Sequence, residues 1–413
     1  MPDFIVQIFS KFLLFIVCMQ LSGCAQQMQL ASNDSKPLEV SKIVSVDLND
    51  LKLQNLLSYD IYVQGSSLHA LFAATRDGSK QPYIGYLHSE NNGQIWSKPI
   101  EIPLVANATL ESVLGNDVQI AADGKSLLAI VQLTGEIPGM GPLTVMHSED
   151  GGQTWTSGAN PTASEIDQSH PELIADPQGH YHLVWLDDRD ENGYQGVRYA
   201  RTEDNGQHWK LTQTVDDSSC SCCWNRLWLG KEGSVNLLYR DMEPRDMALA
   251  KSMDDGQTWR RLATVGEFNW VFDGCPHNGG ALAGAEDKKL HALVWTGLEN
   301  KAGLYYLNSV DNGEHWSVPQ AMGGGTLAFH SDIAVLDEKH LLAIWDAMGA
   351  EGSVVMVSES FDNGSHWSAA RQLSAKASSA SFPRIVASDS RVLALWAEQK
   401  SGDFKQWMTA ILE

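Results

Sequence analysis

Ser148-Glu-Asp-Gly-Gly-Gln-Thr-Trp155 is one of six copies of a single pattern. The others are Ser89-Glu-Asn-Asn-Gly-Gln-Ile-Trp96, Thr202-Glu-Asp-Asn-Gly-Gln-His-Trp209, Ser252-Met-Asp-Asp-Gly-Gln-Thr-Trp259, Ser309-Val-Asp-Asn-Gly-Glu-His-Trp316 and Ser360-Phe-Asp-Asn-Gly-Ser-His-Trp367. The chemistry is that of a hairpin turn. The Asp carboxylate accepts from turn amides, the Gly takes a positive φ, and the Trp packs beneath its neighbours. Asp150, Asp204, Asp254, Asp311 and Asp362 keep the carboxylate, while the first copy has Asn91, which accepts similar bonds.

The box tryptophans follow one another at 59, 54, 50, 57 and 51 residues. Each interval has the same plan: a strand pair with a tight turn, such as Glu172 to Trp185, then a third strand, such as Val197 to Ala200, then the box and a fourth strand. Four antiparallel strands at this period read as a propeller blade. Six copies over nearly the whole chain resemble the Asp-box, or BNR, repeat of the sialidase superfamily. That resemblance implies an all-β propeller, and because the box is structural in that family it implies no activity.

Seven opening strand pairs are legible, around residues 61–75, 117–132, 171–186, 226–240, 279–296, 331–346 and 384–397. The last is followed by one strand, Trp407 to Leu412, so an early strand, Ile43 to Leu48, is expected to complete that blade and close the ring. Closure removes exposed sheet edges. Seven blades is the count, and six, as in sialidases, is the alternative.

The first residues read as a targeting segment. Lys11 precedes the apolar run Phe12 to Met19, too short to span a bilayer. It ends in Leu21-Ser22-Gly23-Cys24, which resembles a bacterial lipobox, so Cys24 is expected to be lipidated after removal of a signal peptide, residues 1–23. Acyl chains would anchor the protein without spanning. The residue after Cys24 is Ala25, not Asp, which points to the outer membrane of the cell envelope. Residues 24–41 read as a flexible tether and 42–413 as the propeller. The net charge of -22 and the lack of any basic run exclude a nucleic-acid surface.

In a propeller the loops from strand four to strand one, and from strand two to strand three, gather at one mouth of the channel. Strand-one starts of the third to sixth blades place His170, the run Cys220-Ser-Cys222-Cys223, the pair Cys275 and His277, and His330 in one register. The same register and the strand-two ends carry candidate ligand-binding residues: Asp117, Arg189, Arg240, Asp241, Arg245, Asp246, Asp332 and Arg384. Taken singly, each charged residue also fits a solvated loop. His208, His315 and His366 lie inside boxes and read as turn residues.

Beyond Cys18 and Cys24, four cysteines remain, and three readings stay open. In an oxidising compartment they can be disulfides, with Cys220 to Cys275 stapling neighbouring blades. They can be thiolate ligands with His170, His277 and His330, a set that suits copper(I) or zinc, with Met242 and Met247 favouring copper. They can also be a reactive thiol pair.

The resemblance implies a sialidase as the enzyme hypothesis: three arginines on the sugar carboxylate, a Tyr nucleophile with a Glu, and an Asp acid/base. That catalytic set is not recognisable. No Arg-Ile-Pro motif lies between Ile43 and Gly93, and the last tyrosine is Tyr306. The Cys220 to Cys223 segment, with Tyr239-Arg240, Arg245-Asp246-Met247 and Gly274-Cys275-Pro276, resembles a bacterial group of sialidase-like secreted proteins, a resemblance that lends no activity. Three functions are therefore expected: an envelope lipoprotein binding a metal ion or small ligand at the channel mouth, a glycoside hydrolase acting on glycans, or a non-catalytic scaffold for an envelope protein with bridged cysteines.

Overall fold

The computed structural model describes residues 36–413 except 47–52, 77, 80, 105–107, 163–166, 192–193, 231–232, 285–287, 324–326 and 389–390. The signal segment, Cys24 and the tether to residue 35 lie outside the described residues. The rest is seven four-stranded antiparallel sheets, each a blade. An early strand, β1 (Val40–Ser45), stands apart from its sequence neighbours. Blade 1 is β2 (Leu53–Gln64), β3 (Ser67–Arg76), β4 (Pro82–Ser89) and β5 (Ile100–Ile102). Blade 2 is β6 (Gln119–Asp123), β7 (Ser126–Gln132), β8 (Leu143–Ser148) and β9 (Thr156–Ser157). Blade 3 is β10 (Gln168–Ala175), β11 (Tyr181–Glu191), β12 (Tyr194–Thr202) and β13 (Lys210–Ser219). Blade 4 is β14 (Arg226–Leu229), β15 (Val235–Arg240), β16 (Met247–Ser252) and β17 (Arg260–Val265). Blade 5 is β18 (Ala281–Gly284), β19 (Leu290–Thr296), β20 (Gly303–Ser309) and β21 (Gln320–Ala321). Blade 6 is β22 (Ala328–Val335), β23 (Leu341–Gly349), β24 (Gly352–Ser360) and β25 (Arg371–Gln372). Blade 7 is β26 (Ser378–Ser388), β27 (Arg391–Lys400) and β28 (Gln406–Leu412), completed by β1.

The expected closure is present, with β1 antiparallel to β28 and Ile43 opposite Ala410. It settles the blade number at seven. Seven apolar clusters lie one at each seam between blades; the seam of blades 5 and 6, for example, joins Leu293 and Tyr306 to Ile333 and Trp345. Each buried Leu, Ile or Phe there contributes about 1.5–3 kcal/mol. Trp185, Trp345 and Trp396 are fully buried on strand two, as core residues.

The boxes set the lower face. Ser148 Oγ donates to Asp150 Oδ1 (2.8 Å) and accepts from the Gly152 amide (2.9 Å), while Asp150 Oδ1 accepts from the Thr154 amide (2.9 Å). The other five boxes repeat these bonds, Asn91 standing in for Asp in the first. His208, His315 and His366 each place Nδ1 2.6–2.7 Å from their own box carboxylate, so they are turn residues as expected. The residue before the box glycine bonds its amide to the strand-one to strand-two turn, as Gly151 does to the Lys125 carbonyl and Asp255 to that of Gly233. The opposite face is tied by the other connections: the Cys220 amide donates to the Arg240 carbonyl (2.9 Å), and Gly141 bridges Gln168.

Candidate functional site

Strand one of blades 3, 6 and 7, like that of blade 1, shifts register toward the mouth. The register shifts between Ser169 and Glu172, between Ala328 and Ser331, and between Ser381 and Arg384, which throws His170, His330 and Phe382 out of their ladders. His170 (φ 50°), Phe382 (φ 53°) and His277 (φ 50°) all take the left-handed conformation, uncommon for side chains of this size. The shared register read from the sequence is therefore a shared backbone geometry.

The turn after β13 gathers three sulfurs. Cys220 Sγ lies 3.7 Å from Cys222 Sγ and 3.6 Å from Cys223 Sγ, all three buried. Cys222 Sγ also belongs to a second group, with Cys275 and His277, whose donor atoms lie within 4.8 Å of one another. Cys275 and His277 are exposed, so this second group opens to solvent. All four cysteines are free thiols in this structure. The Cys222 and Cys223 thiols, which donate to Cys220, hold its pKa well below the ordinary thiol range, and the Arg245 guanidinium, with Nη1 2.9 Å from the sulfur, adds to this. The two neighbours are pushed the other way: their bonds to Cys220 raise Cys222, and burial raises Cys223. Three sulfurs and a guanidinium are thus gathered in one turn. Burial lowers His170 to about 4, with Cys220 opposing and His277 assisting, so its ring is neutral at pH 7.

His330 is not among those donors. Its Nδ1 is 2.7 Å from Asp346 Oδ2, and its ring stacks on Phe382 at 3.7 Å. Trp224 closes on both rings, and Arg384, paired with Asp117 at 3.2 Å, completes a small cleft with Gly115 and Pro383.

Several charged candidates serve the scaffold. Arg240 is fully buried and its guanidinium donates to the carbonyls of Asn278, Arg245 and Trp295. Arg245 Nε donates to the Phe272 carbonyl (2.7 Å). Asp246 accepts from the Asn269 and Trp270 amides, and Asp241 pairs with Arg261 (2.6 Å). Met247 is packed in the seam of blades 4 and 5 with Leu238 and Val265. Arg189 lies on β11, and its side chain is outside the described residues.

Asp332 belongs to a polar collar between strand-one segments, in which each side chain accepts from the next blade's amide. Asp60 accepts from Ile120 (2.9 Å), Gln119 from Leu173 (3.4 Å) and Asp332 from Ile385 (2.9 Å), and Glu172 pairs with Arg226 (3.0 Å). Burial raises Asp60 and Asp117 to about 7. Asp60, Glu172 and Arg226 were not singled out from sequence; their signal was position alone.

Two grooves of about 600 and 710 Å³ lie by the boxes of blades 4 and 5, lined by residues such as Phe268, Trp316, Trp259 and Lys288, and contain none of the mouth residues.

A comparison with curated proteins finds no match. Among solved structures, the chain is similar to a protein of unknown function from Dyadobacter fermentans (14% identity, 91% of this chain and 99% of that one, TM-score 0.54). It is also similar to an ulvan lyase (12%, 89% and 95%, TM-score 0.60) and to NanB sialidase from Streptococcus pneumoniae (13%, 91% and 71%, TM-score 0.50). At these identities the likeness concerns the fold alone. The BNR repeat-like domain matches residues 35–270, more than half of the sequence, so this chain, a seven-bladed β-propeller, belongs to the BNR repeat-like family.

Proposed function

We propose that this protein is a lipid-anchored envelope protein that binds a soft transition-metal ion, copper(I) or zinc, at the channel mouth through Cys220, Cys222, Cys223, Cys275 and His277. The observation that carries the reading is the packing of three sulfurs at 3.6–3.7 Å, with Cys275 and His277 within reach of Cys222. A tetrahedral ion with metal–sulfur bonds of about 2.3 Å needs sulfurs about 3.8 Å apart. Cys220 already favours the thiolate that such an ion requires. Sulfur and imidazole from two separate connections also explain why Arg240 and Arg245 fasten those connections together. The test is metal analysis of the mature protein, with thiols counted before and after reduction. Copper or zinc retained by the native protein and lost from both Cys223→Ser and His277→Ala is the expected result. Four oxidised cysteines without metal would overturn it and leave the scaffold.

A second reading has its own support in the cleft of Trp224, His330, Phe382 and Arg384. Aromatic faces beside a guanidinium suit an acidic sugar, and structural neighbours include a sialidase and polysaccharide lyases. Hydrolysis or elimination of acidic glycans that disappears in Arg384→Ala would favour it.

A further inference from the structure

Far from the sulfurs, the seam between blades 3 and 4 gathers two imidazoles and two carboxylates on the box face. We propose that Asp176, His180, His182 and Asp255 form a second, independent site for a divalent borderline ion of the zinc class, clamping the two blades together.

The donors come from three short segments. Asp176 and His180 flank the β10–β11 turn, where Asp176 Oδ1 accepts from the Gln178 and His180 amides, leaving Oδ2 to face the histidines. His182 is the second residue of β11 and is fully buried. Asp255 is the left-handed residue of the blade 4 box, φ 59°. Asp176 Oδ2 lies 3.0 Å from His180 Nδ1 and 3.4 Å from His182 Nε2, while Asp255 lies 3.5 Å and 3.6 Å from the same two nitrogens. Ligands about 2.0–2.1 Å from a tetrahedral ion are about 3.3 Å apart, so these four separations outline the edges of such a site. The His180 nitrogen is buried, and despite its 3.0 Å approach it makes no aligned hydrogen bond.

The setting of His182 points the same way. Its Nδ1 is 2.8 Å from the Tyr199 hydroxyl, and the same His–Tyr pair recurs as His69–Tyr86 and His291–Tyr306. In those pairs the tyrosine donates onward to a backbone carbonyl, Gly151 or Asn363, so histidine Nδ1 carries the proton. His182 differs from those pairs in that its Nε2 also lies within hydrogen-bond reach of Asp176 Oδ2 (3.4 Å), so the ring already faces the carboxylate, and the Nδ1 bond is the outer support typical of a metal-bound histidine.

Only this seam has the carboxylate. The place of Asp255 is taken by Asn92, Gly151, Asn205, Asn312 and Asn363 in the other boxes, residues better suited to a positive φ. Arg201 pairs with Asp255 and Glu203, and Lys210 also pairs with Glu203, so these two cations offset two of the three carboxylates Asp176, Asp255 and Glu203. The Arg201 contact is with Asp255 Oδ2, the oxygen 3.5 Å from His180, while Oδ1 is the atom 3.6 Å from His182.

Cobalt(II) titration of the native mature protein tests the proposal, because a nitrogen–oxygen site gives visible d–d bands without the intense near-ultraviolet charge transfer of a thiolate site. The expected result is a charge-transfer-free equivalent that is lost in both Asp255→Asn and His180→Ala and retained in Cys223→Ser. Asn is the residue of four other boxes, so Asp255→Asn preserves the turn. Cobalt binding with the same d–d component in native protein and in His180→Ala, or bands that always carry thiolate charge transfer, would overturn it.

Discussion

Arg245 Nη1 lies 2.9 Å from Cys220 Sγ, bringing a fixed positive charge onto the sulfur that also lies 3.7 Å from Cys222 Sγ and 3.6 Å from Cys223 Sγ. The two residues stand in separate connections of the mouth, joined where the Cys220 amide meets the Arg240 carbonyl.

This contact has a spectroscopic consequence. Cys220 has a depressed pKa, so the metal-free protein is expected to keep thiolate ultraviolet absorbance well below the ordinary thiol midpoint of about 8.5. Arg245→Met should move that midpoint upward, and Arg245→Lys should move it less. An unchanged titration in Arg245→Met would show that the guanidinium has no hold on the sulfur.

The two halves of the mouth are separable. His277→Ala should abolish metal retention, because that ring is within 4.8 Å of the Cys222 and Cys275 sulfurs. His330→Ala should leave it within about twofold, since that side chain is held by Asp346 and Phe382. Metal content measured on both variants decides this, and equal losses would mean one continuous site.

Gly256 (φ 82°) is where backbone conformation and close packing coincide, because a Cβ there would overlap the Tyr199 hydroxyl across the blade 3–4 seam. Gly256→Ala should destabilise by about 2–4 kcal/mol in urea unfolding. Gly124 has a similar φ of 59° and open space around it, so Gly124→Ala should cost only about 1 kcal/mol. Equal losses would leave the packing argument without support.

His69 should make folding sensitive to mild acid. Burial, followed by the nearby His88, lowers its pKa to about 4, against about 6.5 unfolded. A depressed folded value means its contribution is complete above pH 6.5 and is lost as pH falls toward 4, on the order of 3 kcal/mol. Replacing the ring by His69→Gln should flatten the decline in unfolding free energy between those limits. A decline as steep as in the native protein would locate the acid sensitivity elsewhere.

The proposed lipid anchor is Cys24. Cys24→Ala should abolish incorporation of labelled fatty acid and move the protein out of the membrane fraction; labelling that persists would refute the lipobox reading.

The blade plan was legible because its causes are local. Ser148, Asp150, Gly152 and Trp155 interact within one turn, and the same letters recur at each repeat. The closing strand was legible too, since Trp407 to Leu412 left a blade one strand short. The mouth was only half legible. Equal register placed Cys222, Cys275 and His277 at one mouth, where their donor atoms lie within 4.8 Å of one another, yet it could not tell that His330 turns to Asp346, or that Arg240 and Asp246 face backbone groups. The box-face donors escaped notice because Asp176, His180 and Asp255 each look like ordinary turn residues.

Sequence by itself determined the repeat, the all-β class and the ring of blades, because short-range hydrogen bonds and alternating apolar residues act over a few neighbours. Only the tertiary structure decided which polar side chains meet: Cys222 with His277, Arg384 with Asp117, and His182 with Asp255. Those partners come from different connections or different blades, and the packing of apolar seams, not spacing along the chain, brings them within reach.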